Sequence, residues 1–163
     1  MKEIPLTQGK VAYVDDKFYV ALQRRGAWHA ERQHQIWYAS RTEVDSTNKK
    51  HTIYMHSLVW KLANRKPTRE LDHQNHNGCD NQLSNLRSAT RSQQLQNCRK
   101  RQHTTSRFKG VSWSQKTEKW QVFIRRRYLG LRIDEKVAAQ LYDDAAKKLY
   151  GAFACLNFPE STE

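Results

Sequence analysis

Residues 99 to 107 read RKRQHTTSR, with four cations, no apolar side chain and no hydrophobic period of either 2 or 3.6 residues. Such a stretch cannot enter a packed core. It divides the 163-residue chain into pieces of roughly 100 and roughly 55 residues, each near the small end of what folds alone. Apolar residues make up only 37% and mean hydropathy is −0.95, so the cores must lean on aromatic side chains: five Trp, seven Tyr and five Phe. The boundary between the pieces is expected near residue 105.

The formal charge is +13, and its distribution is uneven. Arg99 to Arg132 holds 11 Lys/Arg against one acid, Glu118. Met1 to Cys98 holds 15 against 9, and Ile133 to Glu163 holds 3 against 6. Because Trp113, Trp120, Phe123 and Tyr128 are interleaved with the densest positive charge, a polyanion that also stacks, a nucleic acid, is the expected partner. Cys79, Cys98 and Cys155 are odd in number and form no C-x-x-C pair, which argues against a disulfide framework and points to a reducing compartment. No apolar run approaches the ~18 residues of a membrane span, and MKEIPLTQGK lacks a signal-peptide core; a cytoplasmic protein is expected.

In the first fifty residues KVAYV, FYVALQ and QIWYASR alternate between turn-like VDD, RRGA and DSTNKK, which predicts a β meander. His51 to Ala63 begins strand-like and turns helical, with Met55, Leu58, Val59 and Leu62 on one stripe. Thr90 and Gln93 have capping-box spacing, so a helix is expected from about Arg91 toward Lys100. Beyond Phe108, FKGVSW, EKWQVFIR and RRYLGLR read as three strands. DEKVAAQLYDDAAKKLYG reads as a helix capped by Asp134 and stopped at Gly151. Its expected buried stripe is Val137, Leu141, Ala145 and Leu149, with Ala138, Tyr142 and Ala146 beside it. The sheet would turn Val111, Trp113, Val122 and Ile124 toward that helix, leaving Ser112, Ser114, Gln121, Phe123 and Arg125 on the other face.

Between these halves lies LDHQNHNGCDNQLSNLRSATRSQQ, Leu71 to Gln94. Asp72 supplies a hard carboxylate oxygen, and an amide oxygen from a facing helix would be a second ligand for Mg²⁺ or a similar cation that keeps several waters. Such an ion can stabilise charge on a phosphodiester undergoing hydrolysis. His73, neutral near pH 7, can take a proton from attacking water. Both reach one phosphate only if the strand ends or distorts at this pair. A zinc reading with His73, His76, Cys79 and Cys98 has no support from spacing, and turn chemistry accounts for Asn75, Asn77, Gly78, Asp80 and Asn81.

The order D-H, S-N-L-R, then a helix opening T-R-S-Q, from about Thr52 to Asn97, resembles the HNH endonucleases of the phage and homing type, whose ββα-metal unit cuts DNA. The resemblance implies that Asp72 is a metal ligand, His73 the general base, and Asn85 the residue that holds the loop and orients the base. It also implies Mg²⁺ or Mn²⁺ as cofactor and an Asn on the helix 21 positions after the histidine. Here that position is Gln94. The extra methylene moves the amide oxygen by ~1.5 Å, leaving three readings: Gln94 ligates from a withdrawn helix, Asn97 one turn on substitutes, or cutting is weakened and the chain is a DNA reader. His56 matches a histidine commonly found before the motif, in a supporting place.

FKGV at Phe108, KWQVFIR, YLG at Tyr128, AAQLYDDAAKKLYG and LNFP at Leu156 together resemble the Apetala-two or ethylene-response-factor DNA-binding domain. That resemblance implies a sheet in the major groove of duplex DNA, with Lys109, Ser112, Ser114, Gln121, Phe123, Arg125, Arg127 and Tyr128 facing it. Arg99 and Arg101 in the basic stretch would track phosphates.

The expected fold class is therefore α+β: a β-rich segment (1–50), a ββα-metal nuclease module (51–100), a basic linker (101–107), a three-stranded antiparallel sheet packed on one helix (108–159) and a short tail (160–163). The expected function is metal-dependent endonucleolytic cleavage of double-stranded DNA by a monomer, with no membrane partner.

Overall fold

A computed structural model of the chain describes residues 1–68, 70–100 and 104–159. Arg101, the first part of the expected linker (101–103) and the tail (160–163) lie outside the described residues. Among the described residues the fold is α+β, with four small antiparallel sheets and four α-helices.

Two compact units divide the chain, one ending at Thr90 and the other beginning at Arg91. In the first, Lys2–Pro5 (β1) and Val11–Val14 (β2) pair antiparallel. The helix Asp16–Gln23 (α1) follows. The alternation of FYVALQ had suggested a strand, but Phe18 and Leu22, four apart, are the residues that this segment buries, and the Trp28 indole nitrogen donates to the Leu22 carbonyl at 3.1 Å. His29–Gln33 (β3), Ile36–Val44 (β4) and Lys50–Tyr54 (β5) form the meander, in the order β3-β4-β5.

Met55–Leu62 (α2) buries Met55, Leu58 and Val59, as its stripe required. Leu71–His73 (β6) and Leu86–Ser88 (β7) pair as a two-stranded ladder, with Asp72 opposite Arg87 and His73 opposite Leu86. One core runs through all of this: Ile4, Val14, Leu22, Trp28, Met55, Val59 and Leu86 belong to a single buried cluster. Residues 1–50 thus share a core with 51–90 instead of forming a module of their own.

The second unit begins with the short helix Arg91–Gln96 (α3). Val111–Ser114 (β8), Lys119–Ile124 (β9) and Arg127–Arg132 (β10) form a sheet ordered β10-β9-β8, followed by Glu135–Tyr150 (α4). The Asp134 carboxylate caps α4 by accepting from the Val137 amide at 2.8 Å.

The buried face of α4 is Ala138, Ala139, Tyr142, Asp143 and Ala146, whereas Val137 and Leu149 are 52% and 55% exposed. The expected stripe is therefore rotated by about one residue. Two features turn it. The alanines let the helix approach Val111, Val122 and Ile124 closely, and Asp143 is drawn inward by three donors: the Asn157 amide (2.8 Å), the Asn157 side chain (3.0 Å) and the Phe158 amide (2.8 Å). A fully buried carboxylate is tolerated because its lone pairs are filled. At Gly110, φ is +77° and a Cβ would overlap the Tyr142 ring, so glycine alone fits the FKGV turn.

The unit boundary falls ahead of α3 rather than near residue 105. Helix α3 packs against the 3₁₀ turn Gly151–Phe153, and the Lys109 ammonium is held by the carbonyl of its last residue, Gln96, and by that of Cys98 just beyond it.

Candidate functional site

The loop from Gln74 to Ser84 returns the chain from β6 to β7, and its polar side chains fold it onto itself. The Asn75 carbonyl oxygen of the side chain accepts from the Asn77 amide (2.9 Å), and that of Asn77 accepts from the Cys79 amide (3.1 Å). Asp80 accepts from the Asn75 side chain (2.7 Å) and from the Gln82 amide and side chain. Asn85 braces both arms: its Oδ1 accepts from the Asn75 amide at 3.0 Å and its Nδ2 donates to the Asp80 carbonyl at 2.8 Å. Strand β2 grips the same loop, the Tyr13 amide donating to Cys79 O and the Asn81 amide to Tyr13 O. Gly78 is required where the loop crosses β4, since a Cβ there would overlap the Trp37 carbonyl and lie 2.7 Å from the Tyr38 ring.

His73 ends β6 and is 7% exposed. Its Nε2 lies 3.5 Å from Asn81 Oδ1, a long contact whose direction is nevertheless set: the Asn81 amide nitrogen donates to the Cys79 carbonyl at 3.0 Å, so the oxygen faces the imidazole. Burial pushes the His73 pKa below its usual 6.5, partly offset by Asn81 and by the charges of Asp72 and Asp80. A neutral imidazole at pH 7 is what a proton acceptor needs.

Rings fix the plane of this imidazole. His56 meets it edge to face at 5.1 Å and Tyr38 does so at 5.8 Å, while Tyr54 stacks on His56 at 5.5 Å. The Tyr54 hydroxyl donates to Glu31 (3.0 Å) and accepts from Gln33 (2.6 Å), tying the cluster to β3. His56 is held down to about 3 by burial and then by the neighbouring His73, and its buried Nδ1 has no hydrogen-bond partner among the described residues.

Asp72, one residue earlier, is paired with Arg87: Nε at 2.9 Å and Nη2 at 2.8 Å both approach Oδ2, and both side chains are largely buried. The carboxylate therefore has a fixed orientation. Asp72 and His73 are adjacent at the last two positions of a three-residue strand, the strand end that their joint use requires. For the zinc alternative, the Cys79 thiol donates to the Trp37 carbonyl at 3.5 Å. Among the described residues no three His, Cys, Asp or Glu side chains gather as a metal cage.

Gln94 and Asn97 belong to the second unit. Gln94 is half-buried, with Oε1 3.5 Å from Arg91 Nη1, whereas Asn97 is 5% exposed and its backbone amide donates to the Gln93 carbonyl. Of the two, Gln94 is the less buried residue.

In the sheet of the second unit, Val111, Val122 and Ile124 face α4, and alternation puts Ser112, Gln121 and Leu131 in one row of the open face. The next rows are Phe123 with Tyr128, rings 5.3 Å apart, and Ser114 with Lys119. A bulge between Tyr128 and Gly130 keeps Tyr128 on that face. Lys119 shares this open face, as its spacing of two and four from Gln121 and Phe123 indicates.

Three cations are placed otherwise than expected. Arg125 lies in the β9–β10 turn with φ +55°, its guanidinium over the Tyr150 ring of α4 at 5.3 Å. Arg127 is exposed opposite Ile124, so its register belongs to the helix side. The Lys109 ammonium donates to Gln96 O (2.8 Å) and Cys98 O (2.6 Å). Arg99 is exposed just beyond α3. No helix among the described residues is long and apolar enough to cross a membrane.

Comparison with models of known families, with curated proteins and with solved structures returned no match for this chain.

Proposed function

We propose that the chain is a metal-dependent DNA endonuclease of the HNH type, in which the Asp72-His73 pair hydrolyses a phosphodiester and the sheet of the second unit holds duplex DNA. The observation that carries this reading is a buried imidazole at a strand end beside an oriented carboxylate, over a loop cross-braced by Asn85.

The donor set suits Mg²⁺ or Mn²⁺, which takes one or two hard protein oxygens and fills the remainder with water and phosphate; no cage of carboxylates is needed. Asp72, oriented by Arg87, would hold it. When bound, such an ion supplies Lewis-acid stabilisation of charge on the phosphate and the leaving 3′ oxygen. His73, neutral through burial, takes the proton of the attacking water, and Asn81 steadies its ring. Arg87 keeps the Asp72 carboxylate aimed, and Asn85 keeps the loop that carries Asn81 from shifting. On the reader side, Phe123 and Tyr128 offer an aromatic patch flanked by Ser112, Ser114, Lys119 and Gln121, with Arg99 beyond α3. Lys109 is not among these contacts.

A second reading, a DNA reader with a weakened centre, is favoured by one observation: glutamine stands at 94 where the resemblance calls for asparagine. Supercoiled plasmid incubated with the protein and Mg²⁺ or Mn²⁺ separates them. Nicking abolished by His73→Ala, with duplex affinity retained, is the endonuclease result; binding without nicking in either metal leaves the reader.

A further inference from the structure

Lys109 carries one side of a continuous brace inside the second unit. Asp143 of α4 fixes Asn157 through two hydrogen bonds. Asn157 in turn clamps the backbone of Lys109, accepting from its amide at 2.6 Å and donating to its carbonyl at 3.1 Å. From that fixed backbone the side chain reaches the end of α3, where its ammonium takes the carbonyls of Gln96 and Cys98. The Gln96 carbonyl closes the helix without an intrahelical partner and carries the negative end of its dipole, so a cation is the fitting cap, and the Cys98 carbonyl two residues beyond the helix is its second acceptor. Helix α3 has only six residues and buries none of its own side chains, too little to hold itself in place. Burial lowers the Lys109 pKa, consistent with an ammonium withdrawn from solvent.

We propose that Lys109 is a positioning residue that ties the C-terminal end of α3, and with it Gln94, to the sheet-and-helix body of the second unit, instead of meeting a DNA phosphate. For its consequence at Gln94 this rests on the proposed endonuclease activity; the tether itself does not. It makes α3 move as one body with the proposed DNA-reading sheet of the same unit.

The test uses the full chain with Lys109→Met, and Lys109→Gln as a milder replacement should the first loosen the fold, which protection of the Val122 and Tyr142 amides reports. Two readouts decide. Hydrogen exchange at residues 94–98 is expected to quicken by about tenfold or more, the loss of charge-assisted capping bonds. The slope of log duplex affinity against log salt is expected to stay at its wild-type value, whereas losing a phosphate contact would lower it by about one. Unchanged exchange at 94–98, or a slope reduced by about one, overturns the proposal. In cleavage, a fall in kcat at constant KM agrees with it, and a rise in KM at constant kcat contradicts it. A wild-type protein that neither binds nor cuts DNA would sink the endonuclease reading, while the exchange measurement would still decide the tether.

Discussion

His56 makes stability depend on acidity in a window where few other groups of the first unit act. Its ordinary pKa is 6.5, and burial followed by the neighbouring His73 holds it down to about 3. As pH falls below 6.5 the unfolded chain takes up a proton that the folded protein refuses. The unfolded state then binds more protons, so stability declines with falling pH and the loss is complete only near 3. One pKa unit corresponds to about 1.4 kcal/mol, so from pH 6.5 to 4.5 the first unit should lose about 2–3 kcal/mol through His56 alone. That is a large share of a typical ~5–15 kcal/mol. His73, also depressed by burial, adds in the same direction. Asp45, held at about 2 first by its hydrogen bond with Thr47, loses its contribution only as pH drops below its ordinary 3.8, outside this window. The assay is urea denaturation between pH 4.5 and 7 for the wild type and for His56→Phe, which keeps a ring against Tyr54 without a titrating nitrogen. Any packing penalty is independent of pH, so the comparison is of slopes, and the variant's should be shallower by up to about 1.4 kcal/mol per pH unit. Identical slopes would refute the claim that His56 is buried and neutral.

Gly110→Ala should destabilise the second unit by about 3 kcal/mol, because a Cβ overlaps Tyr142 at a left-handed φ; thermal unfolding measures it. Asn81→Ala should reduce kcat of plasmid nicking roughly tenfold with little change in duplex affinity, less than the ~10²–10⁴ expected for losing the base itself. Gln94→Asn should raise turnover in Mg²⁺ if Gln94 is the helix ligand, and leave it unchanged if Asn97 is; steady-state nicking rates distinguish the two.

Where side-chain spacing alone decides structure, the sequence was readable. The α2 stripe, the three strands after Phe108 and the caps of α4 depend on local periodicity and end chemistry, and each lies where its residues indicate. Long-range partners were not readable. FYVALQ is a helix because Trp28 and the core select Phe18 and Leu22, which alternation cannot reveal. The face of α4 turns on Asp143, a charge whose donors come from Asn157 and Phe158, fourteen and fifteen residues later. Asn81 looked like one more turn residue among many, yet it is wholly buried and faces His73. Arg87 gave no sign of pairing with Asp72, since only the register of β6 and β7 brings them opposite. Lys109 likewise sits in a motif that points outward, and the carbonyls that redirect it lie at and just beyond the end of a helix about a dozen residues upstream.

The most direct measurement is site-specific broadening by Mn²⁺ in NMR spectra of the isotope-labelled protein bound to a short duplex. A divalent ion held at Asp72 beside His73 should erase the signals of residues 71–74 and 85–87 at low Mn²⁺, and Asp72→Ala should restore them. Broadening centred elsewhere, or the same broadening in the Asp72→Ala protein, would contradict the assignment of this pair as a metal-dependent cutting centre.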